Sequence, residues 1–412
     1  MANLRLFMKS GHSPTLFAAF LYFDFCFAVW VLNGVMGPFI SDAFHLSPAQ
    51  IGLMVSIPTL AGAFMRFPLG VLSQYIGRKN AAIVEMSAIV IALLYGYFFV
   101  HTFSSVLAMG ALLGIAGASF GVALSLGAGW FPKEHKGLAM GIAGAGNSGT
   151  AFAALFAPRL AAHFGWQPVY GFAAISMMLP LLVMIFFAKE PPDIEHQSLR
   201  QHLKCLVEKD GWYFNLIYVI TFGGFIGLAT FLPSFYYAQF HVTKIVAGEL
   251  TVLAAMAGSA TRVLGGWFAD RIGGVTTLSV VFLITIAGLF GLMTSPPLVL
   301  TTLLFMLCFA ALGGGNGAAF QLVPLRWPTT SAVAGSMIGE VGAMGGFILP
   351  NLLGLSKQYT ASYRAGFIVY AALAIVILIM LLKVSKMWTR TWVGRGGRAL
   401  EPVAGLEGVA AD

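Results

Sequence analysis

The chain is predicted to be all-α and integral to a membrane, with about twelve transmembrane helices in two six-helix halves that repeat in parallel. Three observations predict this. Of 412 residues, 58% are hydrophobic and 9% charged, where a soluble domain carries about 25% charged residues. The apolar segments are about 20 to 28 residues long, enough to cross a bilayer as helices. Finally, Arg66…Gly70…Ile76-Gly77 recurs as Arg262…Gly266…Ile272-Gly273, an offset of 196 residues.

In order, the first half reads as a short N-terminus (1–14) and spans Thr15–Ile40, Gln50–Tyr75, Ala81–Val100, Ser104–Trp130, Gly137–His163 and Pro168–Ala188. This bundle covers 15–188, and a polar linker follows over 189–211. The second bundle, 212–383, holds Trp212–Phe240, Ile245–Arg271, Thr276–Thr294, Pro297–Leu325, Ser331–Ser356 and Ala361–Lys383. The tail, 384–412, is basic, then glycine-rich and acidic, a composition that favours disorder. These segments are numbered spans 1 to 12. No cleavable signal peptide is expected, since the first apolar run is far longer than a signal h-region.

Charge sets the expected topology. Arg5 and Lys9 precede span 1. Arg78 and Lys79 follow span 2, and Lys133 and Lys136 follow span 4. Lys189, Arg200, Lys204 and Lys209 occupy the linker, Arg271 follows span 8, and Lys386, Arg390, Arg395 and Arg398 lie in the tail. The alternate loops are poor in cations, so both termini and the linker are expected to be cytoplasmic. Lys244, Lys357 and Arg364 are exceptions to this pattern. The net charge of +8 is thereby explained without nucleic acid as a partner. Cys26, Cys205 and Cys308 have no metal or redox spacing. The eight histidines are scattered, so no metal, cofactor or catalytic cluster is expected and an enzyme is disfavoured.

An arginine at bilayer depth is costly and rarely faces lipid. From Arg66 to Gly77, and from Arg262 to Gly273, is roughly 16 Å of helix, about half the hydrocarbon thickness. Both guanidinium groups are therefore expected near the midplane. Guanidinium is planar, always charged and forked, and it matches a planar oxyanion better than an ammonium does. The alternative is a structural ion pair, with Asp24, Glu85 and Glu340 as candidate partners. Glycine-rich runs mark spans 5 (Gly144, Gly146, Gly149) and 11 (Gly339, Gly342, Gly345, Gly346) and favour close helix packing. The same smooth faces suit helices that shift against each other. Asn147, Asn316 and Gln321 are amides in hydrocarbon, where an unpaired amide is unfavourable. They therefore bridge helices or donate to a ligand. Repeat-built carriers hold their ligand between the halves at this depth.

These residues carry a resemblance. Phe27-Ala-Val-Trp30, Ile57-Pro-Thr-Leu-Ala-Gly-Ala-Phe-Met-Arg66-Phe-Pro68, Gly117-Ala-Ser-Phe120 and Gly144-Ala-Gly-Asn147-Ser-Gly149 come from the first half. Tyr218-Val-Ile-Thr-Phe222, Thr261-Arg262, Gly315-Asn316-Gly317-Ala-Ala-Phe320-Gln321 and Gly342-Ala-Met-Gly-Gly346 with Pro350 come from the second. The sequence resembles the nitrate/nitrite porter family of the major facilitator superfamily across nearly all spans. The resemblance implies the major facilitator fold and an anion held by Arg66 and Arg262. It further implies Asn147, Tyr218 and Gln321 as polar partners and Phe27, Phe120 and Phe222 as the residues that sandwich or gate the anion. One departure stands in the turn after span 2: Ser73-Gln74-Tyr75 replaces the family's usual aspartate or glycine, whereas Asp270-Arg271 keeps the acidic form.

The resulting expectation is a secondary carrier of nitrate and/or nitrite in the inner membrane, working by alternating access as a single chain. Nitrate/nitrite exchange, proton-coupled nitrate uptake, and transport of another small organic anion remain open. Asp24 and Glu340 are intramembrane carboxylates that an anion site does not require. They are read either as structural pairs or as proton-coupling groups.

Overall fold

The computed structural model describes residues 7–192, 207–328 and 331–400. Arg5, Arg200, Lys204, Cys205 and the end of the tail lie outside these. Among the described residues all regular structure is helical. Span 1 is Ser13–Trp30 followed by Leu32–Val35 and Gly37–Phe44. Spans 2 and 3 are Pro48–Ile76 and Arg78–Phe98. Span 4 is Phe103–Leu113 and Ser119–Ala128, and span 5 is Lys133–Gly144 and Gly149–Phe164. Spans 6 to 9 are Trp166–Phe187, Lys209–Phe240, Lys244–Ile272 and Gly274–Met293. Spans 10 to 12 are Leu298–Arg326, Ser331–Thr360 and Arg364–Thr391. Eleven of these, all but the broken span 5, are long and apolar enough to cross a membrane.

Three segments depart from the expected helices. Span 1 is nicked twice, before Leu32 and before Gly37, where Pro38 lacks an amide proton and Gly34 and Gly37 press on span 7. Spans 4 and 5 are each interrupted by a 3-10 turn, at Gly114–Ala118 and Ala145–Ser148. Span 12 continues to Thr391, so the start of the tail is helical, and Arg395–Gly397 forms a further 3-10 turn.

The repeat is visible in the backbone. His45 and His241 both end a helix in the left-handed region, at φ 50° and 53°. Ser47 and Thr243 then cap the next helix through their side chains, onto the amides of Gln50 and Val246. Gly77 and Gly273 close spans 2 and 8 at φ 88° and 97°, a conformation that glycine adopts at no steric cost. Each pair is separated by 196 residues, like the arginines.

Contacts between the halves concentrate at the His45/His241 end. A methyl added at Gly34 would stand 2.4 Å from the Thr230 carbonyl, and at Gly52, Gly248 and Gly354 it would stand 2.5 Å from the carbonyls of Pro350, Ala154 and Pro48. Spans 1 and 7, 2 and 11, and 5 and 8 thus meet backbone to backbone. Towards the Gly77/Gly273 end, Gly70 and Gly141 have nothing within 4 Å and Gly266 meets its nearest atom at 3.9 Å. The halves are sealed at one end and diverge at the other.

Candidate anion site between the halves

Arg66 sits in span 2 between Pro58 and Pro68. Trp30 Nε1 donates to the Pro58 carbonyl at 2.7 Å, which fixes the indole beside span 2. The 3-10 turn in span 4 likewise presents the carbonyl of Gly117, and Arg66 Nε donates to it at 2.8 Å. Arg66 Nη1 donates to the Gly339 carbonyl of span 11 at 2.6 Å. The side chain is buried and joins the two halves.

Aromatic rings enclose it. The Arg66 Cζ lies 5.4 Å from the Trp30 ring, 5.8 Å from Phe120 and 5.5 Å from Phe222. Arg262 Cζ lies 5.7 Å from the same Phe120 ring. Such contacts favour a cation over the ring face. The rings close on themselves: Phe23 meets Phe27, Phe27 meets Trp30, Trp30 meets Phe222, Phe222 stacks on Tyr218, Tyr218 meets Phe320, Phe320 meets Phe120, and Phe120 returns to Phe23. Four come from the first half and three from the second. Arg262 is half-buried and makes no hydrogen bond among the described residues.

The structure therefore brings Arg66, Arg262, Phe120, Phe222, Tyr218 and Phe27 to one aromatic enclosure. Phe27 contributes through Phe23 and Trp30 rather than by standing over an arginine. Asn316 is buried one helical turn from Phe320 on the same face of span 10, and Asn147 is buried in the 3-10 turn of span 5. Each leaves its side-chain oxygen without a hydrogen bond among the described residues. Gln321 is placed elsewhere. Its Oε1 faces Gly274, at the start of span 9, where a methyl would stand 2.5 Å from it. One position beyond Phe320, a helical side chain points about 100° away from the enclosure. Phe23 and Phe320 complete the ring although neither is among the expected site residues, because a phenylalanine in an apolar helix carries no signal of which face it covers.

The carboxylates differ in what they touch. Asp24 accepts from Ser148 Oγ at 2.5 Å and from the Gly149 amide, so it holds the broken turn of span 5 against span 1. Glu85 is buried and accepts from the Tyr22 hydroxyl, with its second oxygen unpartnered. Glu340 follows Gly339 directly, interacts electrostatically with Arg66, and makes no hydrogen bond among the described residues. The glycines of spans 5 and 11 are packing surfaces within each half. Gly146 and Gly149 press on the backbone of Asp24, Gly342 and Gly345 on Tyr218 and Val219, and Gly346 on Ile226 and, across the halves, Thr59. Gly339 faces Arg66, and Gly144 makes only ordinary contact with Leu124.

Residues 18–350 match the model of the Major Facilitator Superfamily. A nitrite extrusion protein of Bacillus subtilis is 30% identical over 361 residues, covering 86% of this chain and 90% of that one. A probable nitrate transporter, NarT, of Staphylococcus carnosus is 32% identical over 365 residues, covering 87% and 93%. The chain belongs to the nitrate/nitrite porter family of this superfamily. The fold is shared with a bacterial homologue of the human lysosomal transporter Spinster in an inward-facing, occupied conformation. That match has TM-score 0.73 at 18% identity and covers 93% of this chain and 98% of that one. The Escherichia coli xylose transporter XylE, partially occluded and inward-open, matches at TM-score 0.73 and 15% identity, covering 91% and 98%. A member of this family is a transporter, not an enzyme.

Proposed function

We propose that this porter carries nitrate and/or nitrite across the inner membrane, with both termini and the linker in the cytoplasm and the single chain as the working unit. The observation that carries the reading is that two guanidinium groups stand at 5.8 and 5.7 Å over one ring, Phe120, inside a closed circle of aromatics. A small, planar, weakly hydrated oxyanion suits that enclosure. Its single negative charge relieves the repulsion between two like charges in a medium of low dielectric, and it needs few hydrogen bonds beyond those of Arg262 and the free donors of Arg66. Asn147, Asn316 and Tyr218 supply further polar contacts. A sugar would require many more, and the tight ring leaves little room for a bulky organic anion. The relatives' names agree with a nitrogen oxyanion.

Glu340 is proposed as the proton carrier. Asp24 is engaged by Ser148 and Gly149, whereas Glu340 stands beside the Arg66–Gly339 contact with its carboxylate uncommitted. Protonating Glu340 as the anion arrives keeps the site's charge in balance and gives symport. Nitrate/nitrite exchange is the second reading, favoured by the same repulsion between the arginines if only an anion-loaded site closes.

Uptake of nitrate into proteoliposomes tests both, with internal nitrite present or absent and with or without an inward proton gradient. Stimulation by the gradient, lost in Glu340→Gln, is expected. Stimulation by internal nitrite alone would replace symport with exchange. Undiminished uptake in both Arg66→Lys and Arg262→Lys would remove the anion site itself.

A further inference from the structure

Of the cations that break the topology pattern, Lys244 finds its partner across the seal. Lys244, at the start of span 8, pairs with Asp42 Oδ2 of span 1 at 2.5 Å. Its ammonium lies 4.6 Å from the Phe39 ring and 5.4 Å from the Tyr237 ring. The Tyr237 hydroxyl donates to the same Asp42 oxygen at 2.8 Å. On the other flank Arg159 of span 5 pairs with Glu249 of span 8 and donates also to the Leu155 carbonyl. Each pair takes one member from each half. Each lies within two turns of the ends of its spans, at the end where Gly34, Gly52, Gly248 and Gly354 close the backbone. A recess of about 430 Å³, lined by Ser41, Ile51, Ser234, Tyr237 and His241 among others, lies beside the first pair through Tyr237.

We infer that Asp42–Lys244 and Arg159–Glu249 form a two-point charge latch that holds the outer side of this porter shut and must part in every transport cycle. The inference rests on the proposed orientation. The side chains are 24% and 47% exposed in the first pair and 39% and 44% in the second. Pairs this exposed are screened, so each shifts the equilibrium roughly two- to fivefold. That weakness suits a carrier. A latch that biases the closed state severalfold can be undone by anion binding, whereas a strong one would trap it. It also explains why Lys244 stands where the charge pattern otherwise excludes cations.

The test is access to Thr59, fully buried on span 2 between the sealing Gly52 and Arg66. Thr59→Cys is placed in a Cys205→Ser background, where the remaining cysteines, Cys26 and Cys308, are buried. Labelling by a membrane-impermeant thiol reagent is then compared in intact cells and inside-out vesicles. Joint Asp42→Asn and Glu249→Gln substitution is expected to speed labelling from outside about four- to twenty-fivefold. Exchanging the charges within each pair (Asp42→Lys with Lys244→Asp, Arg159→Glu with Glu249→Arg) is expected to restore slow labelling, which a misfolded variant would not show. Labelling unchanged by neutralisation, or not restored by the exchange, overturns the latch. Labelling confined to inside-out vesicles in every variant overturns the orientation instead.

Discussion

Arg66 Nη1 and the carbonyl of Gly339 are joined at 2.6 Å, across the boundary between the two halves. This bond makes the arginine a structural tie as well as a charge. Replacing it with lysine leaves one ammonium where the fork reached Gly117 and Gly339 together. Each lost charge-assisted hydrogen bond is worth about 1.5–3 kcal/mol. Arg66→Lys is expected to lower the melting temperature in detergent and to raise the half-saturating nitrate concentration at least tenfold.

Arg262 is expected to behave differently, because no described residue hydrogen-bonds to it. Arg262→Ala should melt close to the wild type yet lose nitrate affinity by roughly 10- to 100-fold, the worth of a charge-assisted contact of about 1.5–3 kcal/mol. Ligand-induced stabilisation is the measurement. In the wild type the melting temperature climbs with nitrate concentration; in Arg262→Ala that climb should be absent at the same concentrations.

How much of this was legible follows from which residues carry a signal. A buried arginine is too costly to be accidental, and its recurrence after 196 residues pointed to the pairing. The caps and turns at Ser47/Thr243 and Gly77/Gly273 follow the same offset, so the repeat could be read through chemically distinctive residues. The Arg66 acceptors could not be, since Gly117 and Gly339 contribute carbonyls that every residue possesses. Gln321 shows the converse case. An amide beside a motif looks functional, and here its unpartnered Oε1 stands beside Gly274, about 100° of helix from Phe320. The 3-10 turns in spans 4 and 5 are not legible in the sequence, because glycine serves helix packing as readily as it serves a break.

Phe120 is the one ring that both guanidinium groups share. Cation–π contacts contribute about 0.5–2 kcal/mol each, so Phe120→Ala is expected to raise the KM for nitrate some five- to thirtyfold in uptake assays. Phe320→Ala removes a ring over which no arginine stands and should cost less than half as much in free energy.

Asp24 and Glu340 should separate in a single pair of variants. Asp24→Ala strips the broken turn of span 5 of its acceptor and is expected to cost about 1–3 kcal/mol of stability, seen as a lower melting temperature. Glu340→Gln should melt as the wild type does and lose only the stimulation of uptake by an imposed proton gradient.

Spans 8 and 10 meet through glycine. A methyl at Gly313 would stand 1.9 Å from the Gly258 carbonyl, whereas one at Gly70 meets nothing within 4 Å. Gly313→Ala is therefore expected to destabilise the protein by about 1–3 kcal/mol through overpacking, and Gly70→Ala to leave the melting temperature unchanged.

The closed end of the molecule is made of main chain against main chain: Gly34 on Thr230, Gly52 on Pro350, Gly248 on Ala154 and Gly354 on Pro48. Main chain has no rotamers, so a side-chain fluctuation cannot open a thread of water there. A carrier that admitted such a thread would conduct ions passively and discharge the gradients across its membrane. The small residues at this end thus act as electrical insulation, and enlarging any of them endangers the membrane's charge separation before it slows the movement of solute.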